Sequence, residues 1–135
     1  MASSKTETDQ DYLKRQVVAC MAEIRRYWEL ADRGRDWLAD DDLMAFESLA
    51  ISIEYRTTGW ASRDVIQADE ARVVLVYGGP HVEVWYAISQ SHGYSTPDDA
   101  RIFGEWWGDE CLLALSAEDY EALEWAFEVW AVNPE

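Results

Sequence analysis

The spacing of hydrophobic residues in the first part of the chain is typical of a helix. Apolar residues recur every three to four positions between about residues 10 and 33, which predicts one long amphipathic helix. Asp9 or Asp11 is expected to cap its start, and Gly34 is expected to end it. The predicted buried stripe contains Leu13, Val17, Met21, Ile24 and Trp28, widened by Cys20, Tyr27 and Ala31.

Two shorter helices are predicted later in the chain. The first covers residues 40–49 and starts with three aspartates, which suit the positive end of a helix dipole. The second follows Ser116, which is expected to be its N-cap, with Asp119 completing an imperfect capping box. Pro134 is expected to end this last helix. Its predicted buried stripe contains Tyr120, Leu123, Phe127 and Trp130.

Between the second and the last helix, apolar and polar residues alternate with a period of two, which predicts strands. The strands are expected at residues 51–56, 73–77, 82–88 and 101–107, with a fifth at 111–115. The connections between them are expected to be turns at 78–80 and 108–110 and polar loops at 61–69 and 91–99.

This succession of elements predicts an α+β fold. A long N-terminal helix, a short second helix and a C-terminal helix are expected to pack on one face of an antiparallel sheet of four to five strands. The chain is expected to form a single domain over residues 1–135, with residues 1–9 as a flexible tail.

Acidic residues outnumber basic ones, and the imbalance lies in the later part of the chain. The sequence holds 27 acidic and 11 basic residues, for a net charge of −16 at pH 7. Residues 1–35 contain seven bases and six acids, whereas residues 36–135 contain four bases and 21 acids. This negative field repels phosphate, so direct binding to nucleic acid or to an anionic membrane is not expected. A basic partner is favoured, although acidic residues also serve solubility alone.

No arrangement of residues in the sequence indicates a catalytic site. His81 and His92 lack the spacing of a metal-ligand pair, and Cys20 and Cys111 are far apart in the sequence. The turn at 78–80 lacks the lysine of a phosphate-binding loop. We therefore expect no metal, no cofactor and no enzymatic activity, with a carboxylate site that no motif reveals as an alternative. A polar N-terminus and the absence of a long apolar stretch predict a cytoplasmic protein.

The predicted C-terminal helix carries a row of carboxylates. Glu121, Glu124 and Glu128 share one face at a spacing of about 5–6 Å. This spacing is comparable to that of phosphates along a nucleic-acid strand, so the row can occupy a basic groove as a nucleic-acid mimic. The alternative is an ordinary solvated helix face. The candidate surface also includes the acidic residues Glu105, Asp109, Glu110 and Glu118.

Tryptophan is the second feature that indicates binding, because the chain contains eight of them. Adjacent residues of a strand point to opposite faces, so one of Trp106 and Trp107 is expected outside the core, and Trp107 is the candidate. Trp125 is expected beside the carboxylate row. Exposed tryptophans surrounded by acids are typical of protein-binding hot spots. The alternative is that helices cover both faces of the sheet and bury every tryptophan.

Three short segments form a recognisable succession. They are SIEYRTTGW at 52–60, VLVYGGPHVEV at 74–84 and GEWWG at 104–108. This succession, over about residues 50–110, resembles a class of small acidic proteins that phages, prophages and other mobile elements encode. The resemblance implies a genomic setting that includes anti-CRISPR and anti-restriction proteins, many of which bind a host defence complex, sometimes as nucleic-acid mimics. It implies no catalytic residue.

Charge, tryptophan content and resemblance together predict a non-enzymatic inhibitor of a bacterial defence system. Its acidic, tryptophan-containing surface is expected to bind the basic nucleic-acid site of a Cas effector or restriction enzyme and to block nucleic-acid binding there. In a steric variant, the tryptophan surface binds and the charge only steers. The main alternative is an immunity protein or antitoxin that neutralises a basic toxin. A homodimer formed along the first helix is compatible with each of these functions.

Overall fold

The computed structural model describes residues 8–56, 69–91, 94–130 and 132. The elements are α1 (Asp9–Leu30), α2 (Asp40–Glu47), β1 (Ser52–Arg56), β2 (Glu70–Val76), β3 (His81–Ser91), β4 (Tyr94–Trp106), β5 (Asp109–Leu112) and α3 (Ala117–Val129). The predicted α+β fold with three helices and an antiparallel sheet is confirmed.

The sheet has five strands, and their order in space is their order in the sequence. Every neighbouring pair is antiparallel. The predicted turn at 78–80 joins β2 to β3, and Gly78 adopts there a φ of +93°, which a side chain would disfavour. Two residues, Trp107 and Gly108, join β4 to β5. β-Bulges interrupt the ladder at Leu75 and at Asp98.

The helices pack on one face of this sheet, and the core lies between them. The stripe predicted on α1 is buried there, and Trp28 is 1% exposed. Alternate residues of β3 face the helices and are buried with it, among them Val84 and Tyr86. The Tyr86 hydroxyl donates a hydrogen bond of 2.7 Å to the carbonyl of Leu123, which ties the sheet to α3.

The prediction of a polar loop at residues 91–99 is wrong. β3 continues to Ser91 and β4 begins at Tyr94, so the two strands form a long hairpin. Pro97 has no N–H to donate to the hydrogen-bond ladder between strands. It is tolerated in β4 because the neighbouring bulge at Asp98 already interrupts that ladder. Of the loop predicted at 61–69, the structure describes only Asp69. The strand end at Gly59-Trp60 and the stop at Pro134 lie outside the described residues.

The helix boundaries differ from the prediction in small ways. The N-cap of α1 is Thr8, whose hydroxyl accepts a hydrogen bond of 3.1 Å from the amide of Asp11. Asp9 therefore belongs to the helix and not to a tail, while residues 1–7 lie outside the described range. The capping box of α3 is present in full, with Ser116 and Asp119 as predicted. Tyr120 is 40% exposed and does not belong to the buried stripe of α3.

Candidate functional site

The candidate partner-binding residues lie in two groups. Glu105, Trp107, Asp109 and Glu110 form the hairpin group at the β4–β5 turn, and Glu118, Glu121, Glu124, Trp125 and Glu128 form the α3 group. Each group adjoins a different part of α1. Beside the hairpin group, the centroid of the Trp106 ring lies 5.0 Å from that of Tyr12. Beside the α3 group, Asp119 accepts a hydrogen bond from Arg25. Because a helix rises 1.5 Å per residue, these two contacts are separated by about 20 Å along α1.

The hairpin group surrounds a two-residue turn. Trp107 occupies the turn itself and is 80% exposed, so the expectation that it lies outside the core is met, although it is not part of a strand. Glu105 and Glu110 are directly opposite each other on β4 and β5. Like charges in this position repel each other and weaken strand pairing. The group therefore combines an exposed aromatic ring with carboxylates that oppose the local fold.

In the α3 group, Glu118 is neutralised within the protein. Its carboxylate lies 2.7 Å from Arg25 Nη2 and 3.6 Å from Arg33 Nη2. Arg25 also donates a hydrogen bond of 2.8 Å to Asp119. Burial raises the pKa of Asp119, but hydrogen bonds from Ser116 and Arg25 lower it more, so the pKa lies below its usual value. Glu118 is thus part of the attachment of α3 to α1 and not of a free acidic surface.

The other three glutamates of α3 form an exposed face. Glu121, Glu124 and Glu128 are exposed, and no ion pair connects them to a base in the described part of the chain. Glu124 lies close enough to Tyr86 to act on it electrostatically. Burial first, and then the Glu124 charge, raises the pKa of the Tyr86 phenol well above its ordinary value. We call these three carboxylates the α3 acidic face.

Trp125 is not an exposed member of this face. Its side chain is half-buried, and its ring centroid lies 4.8 Å from that of Phe46 in α2. A Cβ added at Gly34 would lie 3.0 Å from Trp125 Cδ1, so the turn after α1 covers the ring closely. The prediction that Trp125 lies beside the carboxylates as a docking residue is therefore not supported by its packing.

Among the described tryptophans, exposure is concentrated at two positions. Trp107 is 80% exposed and Trp37, which precedes α2, is 94% exposed. Trp28 and Trp130 are buried, and the Trp130 indole donates a hydrogen bond of 3.0 Å to the carbonyl of Phe46. The sequence contains no periodic pattern around Trp37 that distinguishes it from a core residue.

Most of the described arginines are engaged by acidic neighbours. Besides the Arg25 and Arg33 contacts, the ion pairs are Arg26–Glu23, Arg35–Asp32, Arg56–Glu70, Arg72–Glu54 and Arg101–Asp99. These pairs use positive charge that could otherwise compensate the acidic faces. The α3 acidic face therefore retains its negative field.

A polar cluster that the sequence pattern did not predict lies on the sheet face opposite the helices. Glu83 is 3% exposed, and its carboxylate lies 2.8 Å from His81 Nε2 and 3.6 Å from Arg72 Nη1. The indole N–H of Trp85 also donates to it. The spacing of residues 81, 83 and 85, which places them on one side of a strand, is the signal that could have revealed this cluster. A cavity of about 330 Å³ beside it is lined by Arg56, Glu70 and Trp85 among others.

The described residues contain no group of three or more histidine, cysteine, aspartate or glutamate side chains arranged to hold a metal ion. None of the described helices is both long enough and apolar enough to cross a membrane. Comparison with protein-family models, with curated proteins and with solved structures found no match.

Proposed function

We propose that this protein is a non-enzymatic inhibitor that binds the basic nucleic-acid site of a bacterial defence complex, as anti-CRISPR and anti-restriction proteins do. The observation that carries the proposal is the α3 acidic face, because its three exposed carboxylates lack basic partners in the described part of the chain. The setting in which the inhibitor acts is proposed to be the cytoplasm of a bacterial host.

The geometry of the α3 acidic face suits a groove that binds phosphates. Glutamates at helical spacing are about 5–6 Å apart on a rigid element, so a row of Lys and Arg side chains can engage them together. The net charge of −16 favours fast, steered association with a basic partner. Binding of this kind is screened by salt, because the Debye length shortens about twofold between roughly 0.1 M and 0.5 M.

The test begins with affinity capture. Tagged protein is mixed with lysates of bacteria that carry CRISPR–Cas and restriction systems, and bound complexes are released with excess double-stranded DNA or RNA. Release by nucleic acid of a complex that itself binds nucleic acid supports the proposal. Capture of a basic toxin instead of a defence complex would favour the immunity-protein alternative, and capture of neither would contradict the proposal.

A charge-matched pair of variants then localises the contact. The E121K/E124K/E128K variant is expected to lose about 30-fold in affinity for the captured complex, from three carboxylate contacts of roughly 0.7 kcal/mol each. The D36K/D41K/E47K variant changes the net charge equally, but on and beside α2, and is expected to bind nearly as wild type. Equal losses in the two variants would show that only net charge matters.

A further inference from the structure

The turn between β4 and β5 has an unusual residue in a demanding conformation. Trp107 and Gly108 are its two central residues, with φ of +53° and +83°. Positive φ at both positions of a two-residue hairpin turn defines type I′, which strongly prefers Asn-Gly, Asp-Gly or Gly-Gly. Glycine at the second position follows this preference. Tryptophan at the first does not, because its Cβ crowds the backbone in the left-handed region.

The packing around Trp107 does not compensate for this strain. Its side chain is 80% exposed, and no aromatic contact involves its ring in the part of the chain that the structure describes. The neighbouring Trp106 has the opposite role, because its ring packs 5.0 Å from that of Tyr12 and fixes the base of the hairpin on α1. A strained residue that contributes nothing to the core is typical of a functional position.

The charges beside the turn indicate what Trp107 contacts. Glu105, Asp109 and Glu110 lie at the base of the turn, and Glu105 and Glu110 are exposed. Tryptophan is enriched among hot-spot residues, which fill desolvated pockets at the centre of an interface. Carboxylates around such an anchor are complementary to Lys and Arg side chains at the rim of the partner's pocket.

We propose that Trp107 is an anchor that inserts into an apolar pocket, rimmed by Lys or Arg, on the same protein that the α3 acidic face binds. This inference rests on the proposed function for the identity of the partner. The two contacts lie near opposite ends of α1, because Trp106 packs on Tyr12 and Trp125, next to Glu124, packs against Gly34. An interface that includes both therefore extends over roughly 30 Å, the width of a standard interface that buries about 800 Å² per partner. The α3 acidic face supplies steering and salt-sensitive binding, and Trp107 supplies salt-insensitive binding.

The first measurement tests the strain in the purified protein. The W107N variant places the preferred residue in the turn, so its equilibrium constant for unfolding in urea is expected to fall about fivefold. The W37N variant removes a tryptophan that is even more exposed, and its unfolding constant is expected to stay near that of wild type. A W107N variant that is no more stable than wild type would contradict the premise that Trp107 is strained.

The second measurement tests binding to the complex captured with wild-type protein, at about 0.1 M and about 0.5 M salt. W107N is expected to weaken binding at least tenfold, by a similar factor at both salt concentrations, while W37N binds as wild type. If the E121K/E124K/E128K variant weakens binding and W107N does not, the anchor is overturned and the proposed function stands. If W107N weakens binding and the lysine variant does not, the proposed mode of binding fails and the anchor stands.

A lipid membrane is the alternative partner for an exposed tryptophan. Binding to vesicles distinguishes a membrane from a protein pocket. Vesicles of phosphatidylcholine are mixed with wild type and with W107N, and bound protein is measured by sedimentation. We expect neither protein to bind, because carboxylates flank the ring. Sedimentation of wild type but not of W107N would overturn the protein pocket in favour of a membrane.

Discussion

Gly104 shows how one residue sets the distance between the sheet and α1. A Cβ added at this position would lie 2.7 Å from Leu13 Cδ1 and 2.7 Å from Val17 Cγ2. Both neighbours are fully buried, so neither can move away without disturbing the core. The missing side chain therefore allows α1 to lie directly on β4.

We expect the G104A substitution to destabilise the protein by about 1–3 kcal/mol, because an extra methyl group overpacks a close contact. Gly79 provides the matched control, since a Cβ there meets nothing within 4 Å. The free energy of unfolding in urea should be nearly unchanged in G79A. Equal stability of the two variants would contradict the close approach of α1 to β4.

The raised pKa of the Cys20 thiol predicts that the stability of the protein falls at high pH. Burial, and then the charge of Glu23, raises the pKa of this thiol from 9.0 to about 11. The unfolded chain releases the proton near its ordinary pKa, whereas the folded protein retains it to about pH 11. The contribution of Cys20 to stability is therefore complete below about pH 9 and is lost as the pH rises through about 11.

Urea unfolding at several pH values between about 8 and 11 checks this prediction. Wild-type stability is expected to fall with pH across this window, and the C20A variant is expected to fall less steeply. Tyr86 acts in the same direction because its pKa is also raised, so the comparison with C20A isolates the thiol. Identical slopes in the two proteins would refute the role of Cys20.

At the scale of elements, the parts with strong periodicity or explicit capping chemistry were predictable from the sequence. The apolar stripe of α1 and the capping box of α3 depend on neighbours three to four residues away, which the sequence displays directly. The start of β4 was not predictable, because Pro97 and its polar neighbours become a strand only when β3 offers a partner.

The candidate site likewise contains features that local spacing predicts and contacts that it does not predict. Exposure of Glu121, Glu124 and Glu128 follows from helical spacing alone. The neutralisation of Glu118 by Arg25 joins residues 93 positions apart, and the packing of Trp125 on Phe46 joins two helices. Such contacts depend on the tertiary structure, which a local sequence pattern does not reveal.

The capping box makes α3 sensitive to a single hydroxyl. The Ser116 side chain accepts a hydrogen bond of 3.1 Å from the Asp119 amide, and the Asp119 carboxylate accepts one of 2.9 Å from the Ser116 amide. We expect S116A to cost about 1 kcal/mol of unfolding free energy, measured in urea. S48A removes an exposed hydroxyl at the end of α2 and should change stability by less than about 0.5 kcal/mol. A reversed order of the two effects would argue against the box.

At the scale of the whole molecule, the net charge of −16 works against the folded state. Like charges held together in a compact chain repel each other, and salt screens that repulsion. The α3 acidic face adds to it, because its glutamates lie at spacings where like charges destabilise a helix by a few tenths of a kcal/mol per pair.

We therefore expect the E121K/E124K/E128K variant to be more stable than wild type at low ionic strength, because its net charge falls from −16 to −10. The three lysines repel one another at the same spacings as the glutamates, so the gain comes from the net charge of the molecule and not from the helix itself. The gain should shrink at about 0.5 M sodium chloride, where the repulsion is already screened. Thermal unfolding at both salt concentrations measures the difference. A variant that is less stable than wild type at low salt would show that these glutamates contribute to the fold and are not kept for binding.

The contacts of α1 have a consequence for how the chain is made. The helix leaves the ribosome before the sheet does. Gly104, on which Leu13 and Val17 pack, follows about 90 residues later, and Asp119 follows its partner Arg25 by 94 residues. At about 5–20 residues per second, roughly 5–20 seconds pass during which the apolar stripe of α1 has no sheet to cover it. Nascent chains therefore present this stripe to chaperones and to one another until β4 and α3 have been translated.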